Sequence, residues 1–171
     1  IAIKLCDGGP VIYSQMRTGR DGTRFRIYKV RTMTVNTDTA TATETTAAPR
    51  IAEWFHVKPE RDPRVTSVGR FLRRTYVDEL PQLFNVLRGE MSLVGPRPYS
   101  LPSGSFELWQ TERFEALPGL TCLWQATPRR DEVPFDERLR LDIKYLETRG
   151  VVRDLGIMAV TMRNSLRRNG R

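Results

Sequence analysis

Histidine occurs once and cysteine twice in the 171 residues of this chain. The single histidine, His56, stands beside Trp54 and Phe55 and reads as a packed or surface side chain, so no Ser-His-Asp or Cys-His catalytic arrangement is easily built. Cys6 and Cys122 lie far apart and outside any C-x-x-C pattern. That argues against a zinc site or a disulfide scaffold and fits a reducing compartment. No run approaches the roughly 18 consecutive apolar residues of a membrane span. Glycine-rich phosphate loops are missing as well, since neither G-x-x-x-x-G-K-[ST] nor G-x-G-x-x-G occurs. There is no D-x-D pattern, which weakens both a metal-dependent retaining glycosyltransferase and an aspartyl-phosphate phosphatase.

What the chain does carry is positive charge. Its 28 Lys and Arg stand against 20 Asp and Glu, for a net charge of +8. Most of the cations are arginines, which suit bidentate recognition of phosphate or carboxylate. An excess of this kind points to an anionic partner: nucleic acid, an anionic membrane surface or a phosphorylated substrate. The length suits one domain spanning residues 1–171, and no linker or internal repeat divides it.

Along the chain, Val11–Arg17 and Phe25–Val30 read as two strands of a hairpin, joined through a Gly19-Arg20-Asp21-Gly22 turn. Residues 34–49 are dominated by Thr and Ala and read as a flexible surface loop. Asp62-Pro63-Arg64 is a turn, and Val68–Thr75 a short basic helix. Leu80, Leu83, Phe84 and Leu87 follow at i, i+3, i+4 and i+7, the clearest helical period, with Asp78 as N-cap and Gly89 as the stop. Leu117-Pro118-Gly119-Leu120 is predicted to turn and Leu123-Trp124-Gln125 to form a short strand. Phe135–Glu147 and Arg153–Arg168 are predicted helices, and Leu155, Met158, Ala159, Met162 and Leu166 share one face of the second. These elements describe an α/β fold: a small, mostly antiparallel sheet or hairpin with several helices.

The chemistry concentrates at Asp78-Glu79. Adjacent carboxylates at a helix start have a structural explanation, because the free N–H groups there favour anions. The surroundings add a functional one. Arg70, Arg73 and Arg74 precede the pair, and Arg97 follows on a rigid Gly95-Pro96-Arg97-Pro98. A helix N-terminus ringed by arginines suits phosphate, and a carboxylate there can coordinate a divalent cation or attack phosphorus. Lys29 and Arg31, at the end of the second strand, supply further cations.

Several long runs carry a resemblance. Gly9-Pro10-Val11-Ile12-Tyr13 with Gln15 is followed by Phe25-Arg26-Ile27-Tyr28-Lys29-Val30-Arg31-Thr32-Met33. Asp62-Pro63-Arg64-Val65-Thr66 and Val68–Thr75 come next, and the longest run extends unbroken from Asp78 to Pro98. Weaker echoes are Pro118–Thr121, Trp124-Gln125 and Leu141-Asp142 with Tyr145. Together they resemble the bacterial sugar transferase family, the monotopic phosphoglycosyl transferases, over nearly the whole chain outside the Thr/Ala-rich loop.

The resemblance implies a membrane-associated catalytic domain at the cytoplasmic face of the cell membrane. Such an enzyme moves a sugar-1-phosphate from a nucleotide diphosphate sugar, usually a UDP-sugar, to polyprenyl phosphate. By carry-over, Asp78 attacks the β-phosphorus and holds a covalent phosphosugar while UMP leaves, and Glu79 assists. Asp78 and Glu79 are the expected Mg²⁺ ligands. Lys29, Arg31, Arg88, Arg97, Gln125 and Arg129 are the expected phosphate or substrate contacts. Nucleic acid is not an expected partner.

Three departures from the family pattern stand out. The chain is expected to lack the family's apolar N-terminal membrane segment. Cys122 replaces a usual Gly, and Pro128 precedes Arg129 where Gly-Arg is common. The competing readings are a non-enzymatic basic module that binds anionic lipid or nucleic acid, and a degenerate scaffold member of the family.

Overall fold

The computed structural model describes residues 3–4, 8–34, 62–128 and 132–167. Strand β1 (Ile12–Thr18) pairs antiparallel with β2 (Arg24–Val30), as the hairpin reading expects. The turn between them is a single 3-10 turn, Arg20–Gly22, with positive φ at Asp21 and Gly22. Asp and Gly are residue types that tolerate the left-handed region, so the Asp-Gly pair reverses the chain at little steric cost.

Helix α1 (Ser67–Thr75) follows the Asp62-Pro63-Arg64 turn. Asp62 Oδ1 accepts from the Arg64 N–H at 3.0 Å, and Thr66 caps α1 by accepting from the Gly69 N–H at 2.9 Å. Gly69 is required by close approach: a Cβ built there would lie 2.1 Å from the Thr32 carbonyl oxygen. The Thr/Ala-rich segment lies outside the described residues except for Thr34, whose N–H donates to Arg64 O at 3.1 Å.

The chain then enters a 3-10 segment, Val77–Gln82, that runs into helix α2 (Leu83–Leu87). The expected helical period is present, but Asp78 is not its N-cap. Tyr76, in a left-handed conformation at φ 58°, starts the segment, and Asp78 and Glu79 both lie inside its first turn. The burial is also inverted relative to an ordinary surface helix. Asp78, Gln82 and Asn85 point inward, whereas Leu80, Phe84 and Leu87 are 54%, 54% and 84% exposed. Asn85 explains the inward polar side. Its Nδ2 donates to Arg26 O at 2.8 Å and to Glu90 Oε2 at 2.7 Å, while its backbone carbonyl accepts from the Glu90 and Met91 N–H groups. Gly89, at φ 73°, ends α2 as expected.

Beyond it, β3 (Ser92–Val94) pairs with β4 (Gly119–Thr121), and this second sheet is parallel. Between them lies helix α3 (Leu108–Thr111). Part of the segment read as a turn is therefore strand. The segment read as a strand is helix α4 (Leu123–Ala126), because the Gln125 side chain accepts from the Cys122 N–H at 3.1 Å and closes a capping box. Helices α5 (Phe135–Thr148) and α6 (Val151–Arg167) complete the chain close to their expected bounds.

Three small apolar clusters hold these elements together. Phe25, Ile27 and Met91 lie under the hairpin, and Val94, Tyr145 and Ile157 lie between β3 and the last two helices. Tyr99, Phe106, Phe114, Phe135 and Leu139 form the third. Helix α6 docks through Asp154, Ile157, Met158 and Thr161: Asp154 accepts from the Tyr145 hydroxyl at 2.9 Å, and Thr161 shares a hydrogen bond with Thr121. Of the face read in the sequence, Leu155, Ala159 and Met162 are exposed, Met158 packs against the Val94, Tyr145 and Ile157 cluster, and the Leu166 side chain lies outside the described residues. No described helix is long and apolar enough to cross a membrane.

Candidate active site

Three backbone segments converge on Glu79. Lys29 arrives from β2, where its register partner is Tyr13 and its side lies with the buried Phe25 and Ile27. Arg97 arrives from the loop after β3, and Glu79 from the 3-10 segment. Glu79 Oε1 accepts from Lys29 Nζ at 2.7 Å and from Arg97 Nη2 at 3.3 Å. A single carboxylate oxygen therefore holds two cations from segments 50 and 18 residues away.

Asp78 has a different environment. It is buried, and no cation stands within 4 Å of its carboxylate among the described residues. Burial first, and then the negative charge of Glu79, raises its pKa above the ordinary carboxylate value; Lys29 and Arg73 only partly offset this. For Glu79, burial works in the same direction, but Arg97 and Lys29 prevail and hold its pKa down at about 2. Two adjacent carboxylates are thus driven apart by their surroundings, a pattern typical of functional sites.

Arg97 is fixed from behind. Arg113, 2% exposed in its side chain, forms an ion pair with the fully buried Asp142 at 2.7 Å. The same Arg113 nitrogen donates to the Arg97 carbonyl, and its guanidinium lies over the Tyr99 ring at 4.5 Å. The Arg97 guanidinium itself lies over Trp124 at 5.9 Å. Gly95 N–H donates to Thr121 O and Gly119 N–H to Pro96 O, so the start of the Gly95–Pro98 loop is tied to the first and last residues of β4. The rigidity expected of the Pro-Arg-Pro sequence is therefore reinforced from outside it.

The other expected site residues are distributed differently. Arg31 is buried and directed to carbonyls, donating to Pro10 O at 2.6 Å and Met33 O at 3.0 Å. Arg88 is exposed and stacks over Phe84 at 5.2 Å, on the outward side of α2. Gln125 is buried, with Oε1 accepting from Cys122 N–H and Sγ. Arg129 lies outside the described residues. The Cys122 departure is accommodated structurally: its thiol is buried and N-caps α4, and burial pushes its pKa well up, away from nucleophilic use at neutral pH.

One cation beside the site was not singled out from the sequence. Arg17, on β1 opposite Phe25, shares the inward face with Gln15 and Tyr13. An arginine in a polar strand reads as solvent-facing; only the register with Phe25 and Ile27 turns it inward.

No group of three or more His, Cys, Asp or Glu capable of caging a metal occurs among the described residues. A hard divalent cation at Asp78 and Glu79 would have to take its remaining ligands from substrate phosphates and water, the usual habit of Mg²⁺.

Comparison with known proteins gives the family of the chain. The family model for bacterial sugar transferases matches residues 1–168. The undecaprenyl-phosphate galactose phosphotransferase of Salmonella typhimurium is 44% identical over 170 residues, covering 96% of this chain and 35% of that protein. The UDP-glucose:undecaprenyl-phosphate glucose-1-phosphate transferase of Caulobacter vibrioides is 39% identical, covering 95% of this chain and 59% of that one. An exopolysaccharide production protein of Sinorhizobium fredii is 38% identical, with 94% and 72% covered. The chain spans only about a third of the length of several curated relatives it matches, the Salmonella protein among them at 35%. With a family match over essentially its whole length, the chain belongs to the bacterial sugar transferase family.

Proposed function

We propose that this chain is a single catalytic domain that transfers a sugar-1-phosphate from a nucleotide diphosphate sugar, a UDP-sugar, to polyprenyl phosphate. Asp78 is the nucleophile. Its carboxylate oxygen attacks the β-phosphorus, the bond to the bridging oxygen of the α-phosphate breaks, and UMP leaves with that electron pair. An oxygen of polyprenyl phosphate then attacks the same phosphorus, and the Asp78–phosphorus bond breaks to return the carboxylate.

The observation that carries this reading is the contrast within the carboxylate pair. Among the described residues Asp78 makes no ion pair, and its raised pKa makes it the more basic and more nucleophilic of the two. Glu79, with a pKa of about 2, remains ionised at neutral pH and is a poor proton carrier. Its role is to hold Lys29 and Arg97 where the phosphates bind. Phosphoryl transfer depends on positioning and charge neutralisation of this kind. Mg²⁺, held by Asp78 and Glu79 with substrate oxygens, supplies further neutralisation of the diphosphate when bound.

The outward apolar residues support a site that meets a membrane surface, which the proposed reaction places at the cytoplasmic face. Phe71, Leu80, Phe84 and Leu87 surround the segment that carries Asp78, and all are exposed. Isolated exposed apolar residues are ordinary, but a group on one continuous segment marks a surface that meets something apolar. A polyprenyl acceptor resides there.

The test is UMP release from a panel of UDP-sugars, with Mg²⁺ and detergent-solubilised polyprenyl phosphate, by the full-length protein. Metal-dependent release that disappears in Asp78→Asn is expected. A folded, membrane-bound protein that releases no UMP from any donor would refute the reaction and favour a scaffold role.

A further inference from the structure

Three cations face the inward side of the hairpin around Glu79, and two of them are matched. Lys29 and Arg97 share Glu79 Oε1. Arg17 has no carboxylate within 4 Å among the described residues. Its Nη2 donates to Gln15 Oε1 at 2.7 Å, and its Nη1 reaches the Pro98 carbonyl only at 3.5 Å. Its Nε is buried and has no hydrogen-bond partner among the described residues.

Leaving a charged donor half-buried and partly unmatched is unfavourable, and the cost is larger next to another cation. Burial and the Arg97 charge show this pressure, bringing the Arg17 pKa down to about 10, so the guanidinium is still cationic at neutral pH. A purely structural pin between β1 and the Pro98 carbonyl would need only a neutral donor. A full guanidinium with an orphan N–H, whose Nη1 faces the carbonyl of Pro98 next to Arg97, is suited to an oxyanion that arrives with a ligand.

We propose that Arg17 is a third phosphate-binding cation of this site, donating its free N–H edge to a phosphate oxygen of a substrate. This rests on the transfer reaction proposed above, in which both substrates carry phosphate. With Lys29 and Arg97 partly neutralised by Glu79, Arg17 supplies the uncommitted positive charge. The phosphate could belong to the nucleotide diphosphate donor or to the polyprenyl phosphate acceptor, and the two are separable by measurement.

The experiment measures equilibrium binding of UDP and, separately, of a short-chain polyprenyl phosphate to the full-length protein in detergent. Wild type, Arg17→Gln and Arg17→Lys are compared, with thermal melting of each. The expected result is a rise of about tenfold or more in one of the two Kd values for Arg17→Gln, the size of one charge-assisted hydrogen bond. Arg17→Lys should recover much of that loss, because it restores the charge without the fork. The ligand affected identifies the source of the phosphate. Both Kd values staying within about twofold of wild type would overturn the proposal, whatever happens to stability. So would equal weakening in Arg17→Gln and Arg17→Lys that follows a lowered melting point, which would make Arg17 a structural pin. Because the readout is binding, a wild-type protein that binds UDP but releases no UMP defeats the reaction without deciding this inference.

Discussion

Replacing Glu79 with Gln removes the one anion that holds Lys29 and Arg97 together, and the cost can be worked from the site. The Glu79 pKa lies at about 2 in the folded protein against an ordinary 4.5. At about 1.4 kcal/mol per pKa unit, that difference is on the order of 3 kcal/mol of stability at neutral pH. Removing one partner of a buried pair costs about 3–5 kcal/mol in general, so the two routes agree. The sign follows from the depressed value. The stabilisation is fully present above pH 4.5 and is lost as pH falls toward 2. Urea unfolding of wild type and Glu79→Gln at a series of pH values is the assay. Because the Glu79 charge itself raises the Asp78 pKa, the difference between the two curves reports Glu79 together with its coupling to Asp78, while the contribution of Asp142, set by burial and Arg113, cancels. The difference should be about 3 kcal/mol from pH 5 to 7 and shrink by roughly 2 kcal/mol by pH 3. Inorganic phosphate should stabilise the variant more than wild type, because it restores a counter-charge to the two cations. A variant as stable as wild type, or a difference that does not change with pH, would refute the ion-pair account.

Three further outcomes are expected. Asp142→Asn removes the charge opposite Arg113 in a fully buried pair and should cost about 3–5 kcal/mol, read by denaturant unfolding. It should also weaken UDP binding, since Arg113 holds the Arg97 carbonyl. Gly69→Ala puts a Cβ 2.1 Å from the Thr32 carbonyl and must displace backbone, so a loss of roughly 2 kcal/mol or more is expected where an open helical Gly→Ala would gain. Leu87→Ser, at an 84% exposed position, should change stability by no more than about 0.5 kcal/mol. It should nevertheless reduce flotation with liposomes, and a large stability loss instead would mean Leu87 is packed.

Much of this fold is legible in the sequence because local chemistry decides it. The Asp21-Gly22 reversal, the alternation of Phe25 and Ile27, and the Thr66 cap of α1 are all determined within a few residues. The helical period from Leu80 to Leu87 is equally visible, but a period shows only that one face differs from the other. Which face is buried depends on the Asn85 hydrogen bonds to Arg26 and Glu90, which no local pattern reveals. Helix α4 was hidden because its cap is Cys122, not one of the usual Ser, Thr, Asp or Asn residues. At the site, Asp78, Glu79, Lys29 and Arg97 could be named because adjacent carboxylates and a proline-flanked arginine are rare local signals. The Arg113–Asp142 pair could not, since its partners lie 29 residues apart and the Leu141-Asp142 echo says nothing of what Asp142 pairs with. Arg17 needed the strand register to be recognised.

The central claim is that Asp78 becomes covalently linked to the phosphosugar. Intact-mass spectrometry of the full-length protein, incubated with its UDP-sugar and Mg²⁺ but without polyprenyl phosphate, tests it most directly. The account predicts an increase by the mass of one phosphosugar, mapped to Asp78, lost on adding polyprenyl phosphate and absent in Asp78→Asn. UMP release that occurs only when polyprenyl phosphate is present, with the protein mass unchanged throughout, would contradict it.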